Sequence, residues 1–180
     1  MKEYLCNRNK FSKTMLKKLL LGLLVVFISI QFIKPARNLS DDNTNHLASK
    51  YEIPENVNQI LKSACYDCHS NKTEYPWYAN VQPIAWMLNN HIQEGKKHLN
   101  FSTFTSLPIA VQNHKLEETI EMVEEKEMPL ASYTYFGLHS QAKLSEQQRT
   151  VLIDWAKSIM NTLKTNYPPD SLIMKRRRKS

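Results

Sequence analysis

Cys65-Tyr66-Asp67-Cys68-His69 is the stretch on which the reading of this 180-residue chain turns. Two thiols three positions apart lie on one side of a helical turn, and a histidine comes directly after. Each sulfur can bond a porphyrin vinyl group while the imidazole binds the iron from below, so the spacing reads as a c-type haem attachment site. Upstream, Pro54 suits the first turn of a helix. Val57, Ile60, Leu61 and Ala64 then recur at i, i+3, i+4 and i+7, one apolar helical face. Cys65 and Cys68 continue that face at i+8 and i+11. The thiols are therefore expected at the end of an amphipathic helix, pointing where its core face points.

Downstream, Ser70-Asn71-Lys72-Thr73 favours turns, and Pro76 excludes a helix through this point. Tyr75, Trp77 and Tyr78 form an aromatic cluster that either lines a porphyrin or fills the core under a loop. Pro83 opens a second helix with Ile84, Met87, Leu88, His91 and Ile92 as its apolar stripe. His91 on that stripe is a core histidine, a propionate partner or a second axial ligand. Pro108 opens a third helix, apolar at Leu116, Ile120 and Val123 and otherwise crowded with Glu117, Glu118, Glu121, Glu124, Glu125 and Glu127. That acidic side is a solvated face or a docking patch. The helix must end near Met128-Pro129, because the residue before proline avoids helical dihedrals. Met128 in an extended segment can offer a thioether to iron, a soft neutral ligand that raises the potential. Ser145 and Gln148 form a capping box for a last helix, which faces inward through Gln148, Val151, Leu152, Trp155 and Ile159.

Only three Gly are present and Val/Ile/Thr alternation is rare, which favours an all-α fold. The net charge of +7 belongs to the ends. Residues 1–37 hold eight basic residues against one acidic, and residues 175–179 hold five basic. The middle, 38–174, keeps eleven basic and sixteen acidic residues, a net −5. No basic nucleic-acid-binding face is expected. An acidic carrier is steered toward redox proteins with basic docking patches. Cys6 precedes the apolar segment and has no obvious partner.

Residues 19–33 are almost wholly apolar and come after Lys10, Lys13, Lys17 and Lys18. Positive charge on the near side predicts a cytoplasmic leader, 1–18, and export of the chain beyond the apolar stretch. The length fits either a short transmembrane anchor over 19–34 or a signal core. The sequence after it offers no convincing cleavage site, which favours the anchor. Residues 35–52 read as a linker, 53–165 as the folded domain and 166–180 as a basic tail able to meet anionic lipid.

The order of these parts resembles the cytochrome c superfamily. Cys68-His69-Ser70-Asn71-x-Thr73-x-Tyr75-Pro76-Trp77, together with Trp86, His91 and Phe101-Ser102 further on, resembles more closely the exported bacterial haem-binding domain family. The resemblance covers about residues 50–160. It implies one covalent haem c, with Cys65 and Cys68 as thioether residues, His69 as proximal ligand and Met128 as distal ligand. The stretch from His69 to Met128 is not glycine-rich as in many small cytochromes c, which leaves Met128, His91 or an open site on the distal side. The expected function is electron transfer, not enzymatic catalysis, at the bacterial inner membrane with the domain facing the periplasm. The alternatives are a haem-based gas or peroxide sensor or enzyme, with His91 or His139 as distal acid or base, and a zinc site of Cys65, Cys68, His69 and His91.

Overall fold

A computed structural model describes the backbone of residues 2–174 and the side chains of 13–174 apart from Phe136. The side chain of Cys6 and the basic tail over 175–180 lie outside what is described. Among those described there is no strand, only one antiparallel bridge between Leu39 and Lys72. The α-helices are α1 Lys2–Ile30, α2 Glu55–Ala64, α3 Tyr66–His69, α4 Ile84–His98, α5 Ile109–Glu124 and α6 Glu146–Asn166. Short 3₁₀ turns connect them, the longest being Phe101–Ser106 and Ala131–Gly137.

The chain divides into two units. The first holds the residues up to Arg37 together with Pro76–Asn90. Its α1 runs from the leader through the apolar stretch, whose large side chains from Leu19 to Ile28 are all exposed. The helix stops at Ile30. Gln31 instead pairs with the backbone of Gln82, accepting its N–H (2.9 Å) and donating to its carbonyl (3.3 Å). The helix therefore ends inside the segment 19–34 that was expected to be a transmembrane anchor. The apolar helical part, Leu19–Ile30, rises about 18 Å at ~1.5 Å per residue, short of the roughly 30 Å of a bilayer core. Among the described residues no helix is long and apolar enough to cross a membrane.

The second unit holds Asn38–Tyr75 and the residues from His91 onward. Its core gathers Val57, Ile60 and Leu61 of α2, Leu116 and Val123 of α5, and Leu152, Trp155, Ile159 and Leu163 of α6. Phe101 and Phe104 of the 3₁₀ turn complete it. α6 packs chiefly on α5 and also on α2. Its N-terminus carries the expected capping box: the Ser145 hydroxyl accepts from Gln148 N–H (3.2 Å), and the Gln148 side chain accepts from Ser145 N–H (2.9 Å). Burying Trp155 is possible because its indole N–H donates to the Glu52 carbonyl (3.0 Å).

Two readings of the sequence change here. Of the linker expected over 35–52, residues 38–52 are built into this unit: Leu47 is fully buried and Tyr51 nearly so. In α4 the buried positions are Ala85, Leu88 and Ile92, while Ile84 and Met87 are exposed. The stripe is thus rotated from the one predicted, because Ala85 is too small to register in a hydrophobic pattern.

Candidate functional site

The motif does not simply extend α2. Cys65 caps α2 with φ −126° and ψ −47°, and the chain restarts as the single turn α3. Cys65 N–H still bonds the Leu61 carbonyl (2.9 Å), and the Cys65 carbonyl accepts from both Cys68 N–H (3.2 Å) and His69 N–H (2.9 Å). One carbonyl therefore ties both thiol residues and the histidine into one tight turn. Both cysteines are unpaired and half-buried, with Cys65 packed against the core. Burial pushes the Cys65 thiol up to about 12, helped by Cys68. Burial likewise pushes Cys68 up to about 11, helped by Asp67. Both are neutral thiols at physiological pH.

His69 lies 2.9 Å by its Nδ1 from the Leu99 carbonyl. A carbonyl oxygen only accepts, so Nδ1 carries the proton and Nε2 keeps its lone pair. Burial holds the imidazole below its usual pKa, against the opposing pull of the Leu99 and Gly95 carbonyls. A neutral imidazole with Nδ1–H anchored on backbone is the form that ligates a metal through Nε2. Leu99 comes directly after α4, and α4 also supplies Gly95. A Cβ on Gly95 would sit 2.7 Å from the Cys68 carbonyl oxygen and 3.1 Å from the Cys68 Cβ. Only glycine lets α4 approach the motif this closely.

The residues around the motif explain its polar neighbours. Asp67 accepts from Glu74 N–H (2.9 Å) and from the Tyr133 hydroxyl (2.6 Å). Its carbonyl accepts from the Thr73 hydroxyl (2.6 Å). Asn38 is buried and donates to the Ser70 carbonyl and the Thr73 hydroxyl, 2.9 Å each, while Lys96 donates to its side-chain oxygen (2.6 Å). Asn71 N–H donates to the Ser102 hydroxyl (3.1 Å), and Asn100 donates to the Asn71 side chain (2.9 Å). Each of these polar groups is thus satisfied, as burial requires. Asn38, Asp67, Gly95 and Leu99 escaped the sequence reading. A backbone acceptor leaves no signal in residue type, and the partners of Asn38 are 32 to 58 positions away.

The other predicted site residues are not gathered equally. Tyr75 joins the same network, its hydroxyl accepting Asn38 N–H (2.8 Å). Trp77 belongs to the first unit, is 76% exposed and meets Tyr78 edge-on at 5.8 Å. It fills no core. His91 is half-buried on α4, one turn before Gly95. Met128 is half-buried beyond the end of α5, after Lys126 at φ 63° and before a cis peptide to Pro129. Its N–H donates to the Met122 carbonyl, and Arg149 of α6 donates to its carbonyl, both at 3.0 Å. Five residues on, Tyr133 reaches Asp67 of the motif and stacks on His139 at 4.1 Å. Among the described residues no three His, Cys, Asp or Glu side chains converge to hold a metal ion, so the zinc set of Cys65, Cys68, His69 and His91 is not formed.

Two free thiols on the turn that carries a backbone-anchored neutral imidazole are the donor set a covalently held haem needs, and the residues present fit that group. No curated protein and no solved structure matches the chain. Residues 25–158, which contain the motif, Gly95, Leu99 and Met128, match the haem-binding domain, and the chain belongs to that family.

Proposed function

We propose that this haem-binding protein is an exported, membrane-attached monohaem electron carrier. Haem c is held by thioether bonds to Cys65 and Cys68, with His69 as proximal ligand and Met128 as distal ligand. The observation that carries this reading is the His69 Nδ1–Leu99 carbonyl contact beside two unpaired thiols. It leaves Nε2 as the only basic ring nitrogen. Bound there, haem supplies an iron centre whose behaviour, electron exchange or ligand binding, depends on its second axial ligand. The chain's own part is to orient His69, exclude water with the α2–α6 core, and hold Met128 through Arg149.

Export rests on the apolar stretch 19–33 behind a basic leader. The acidic, exposed side of α5 is the surface offered to redox proteins with basic patches. The test is expression with haem-attachment machinery, then intact mass and absorption spectrum. The expected result is one covalently added haem, lost in Cys65→Ala/Cys68→Ala. A mature chain with the mass of bare polypeptide in a competent host overturns the reading.

A second reading, a gas or peroxide sensor, draws on the Tyr133–His139 stack that Asp67 ties to the motif. It places a histidine, not only Met128, in the loop that returns to the motif. Rapid carbon monoxide binding by the reduced protein favours it over the carrier.

A further inference from the structure

Pro76–Asn90 contains no Asp, Glu, Lys or Arg, in a chain that is 23% charged. A solvated helix start normally carries charge on its outer face. Here the inner positions are Ala85, Leu88 and the nearly inaccessible Gln82, while Trp77, Ile84, Trp86 and Met87 are exposed. The same unit exposes Phe32 and Ile33, at 84% and 60%. Large apolar side chains exposed together mark a surface meant for contact.

The fastening of the segment indicates its partner. The Ile33 carbonyl accepts from the Gln82 side chain (2.7 Å) and from the Trp86 indole N–H (3.1 Å). Gln31 adds its two bonds to the Gln82 backbone. Gln82 in turn accepts from Trp86 N–H (3.2 Å) at the start of α4. Four bonds thus hold Gln82 and Trp86 to Gln31 and Ile33, just beyond α1. A bilayer that takes up the exposed apolar side chains of α1 from the side of its C-terminal end has its head-group layer at residues 32–37. It therefore meets Gln82 and Trp86. Trp is suited to that layer, with an apolar ring and one polar N–H. Lys34 and Arg37 supply positive charge there, and Arg37 hydrogen-bonds Asn80 of the same segment. Positive charge beside exposed aromatic rings fits an anionic lipid surface.

We propose that Pro76–Asn90, with Phe32 and Ile33, is a second membrane contact that seats this unit in the head-group layer of an anionic bilayer. The proposal rests on the membrane attachment of the preceding reading and is independent of haem. The test uses the full haem-loaded chain in phosphatidylcholine/phosphatidylglycerol vesicles containing a phospholipid with a photoactivatable group near the glycerol. Lipid adducts are located by peptide mass spectrometry. The expected result is adducts at Trp77 and at Trp86–Met87 as well as on α1. Trp77→Ser/Met87→Ser, both exposed positions, is expected to lose most adducts in this segment and keep those on α1. Adducts confined to α1 overturn the seat alone. Adducts nowhere overturn the membrane attachment and the seat together, leaving the haem site standing. Protein–protein cross-links between two such segments, in place of lipid adducts, assign the surface to a second copy and overturn the proposal.

Discussion

At Gly95 two effects of one methyl group oppose each other. In an open helix, Gly→Ala gains roughly 0.5–1 kcal/mol by reducing backbone freedom. Here the new Cβ would stand 2.7 Å from the Cys68 carbonyl oxygen, which is backbone and cannot swing away. Overpacking of that kind costs about 1–3 kcal/mol, so Gly95→Ala is expected to lower stability in urea titration and to reduce haem attachment. Wild-type stability would mean that α4 does not press on the motif. At Met128 the expectation is electronic. Under the proposed ligation, Met128→Ala is expected to leave haem attached and to lower the midpoint potential by on the order of 0.1–0.3 V, part of the roughly 0.8 V that axial ligation spans. An unchanged potential and spectrum would move the ligand to His139 or His91. His46 and His69 are both held below the usual histidine value of 6.5, in each case chiefly by burial. Below that value the unfolded chain takes up protons that the folded chain refuses. Stability of the haem-free protein is thus full above about pH 6.5 and falls as the pH drops through the folded-state values. Unfolding midpoints that stay flat from neutral to mildly acidic pH would contradict this.

At the scale of elements, the motif is held by the segments that cross it. Asn38 and Ser40 reach across to Asn71 and Thr73 through Ser40 N–H to Asn71 carbonyl and Thr73 N–H to Asn38 carbonyl, both 3.0 Å. The Asn38 side chain adds the Ser70 and Thr73 contacts. Asn38→Ala leaves a buried carbonyl and the Lys96 ammonium without this partner, at a cost of about 1–3 kcal/mol. A matching loss in thermal midpoint is the check, and Asn38→Asp, which keeps the acceptor for Lys96, should recover part of it. α2 and α6 were readable because each turns a long apolar face inward at helical period, and Ser145 and Gln148 mark the start of α6 by local chemistry alone. The break at Cys65 was not readable. Beyond it, α3 packs on the Phe101–Ser106 turn and Cys68 lies against Gly95 of α4, contacts between residues some thirty positions apart.

Across the whole molecule, the folded unit begins earlier than composition suggests. Leu47 is fully buried and Tyr51 donates to the buried Gln112, so a chain starting at residue 53 removes two core side chains and a satisfied polar pair. Leu47→Ala alone costs about 2–5 kcal/mol, and the shortened chain is expected to lose cooperative unfolding by circular dichroism. A sharp transition retained without residues 38–52 would restore them to the role of linker.

The sequence by itself determined the features that local chemistry encodes: two thiols and a histidine on one turn, helices announced by period and caps, and net positive charge confined to the ends. Tertiary structure alone decided which nitrogen of His69 is left basic, that Gly95 admits α4 to the motif, and that a polar stretch before residue 53 is core. Each of these depends on a backbone atom or a small side chain meeting a partner far along the chain, and such meetings leave no periodicity to read.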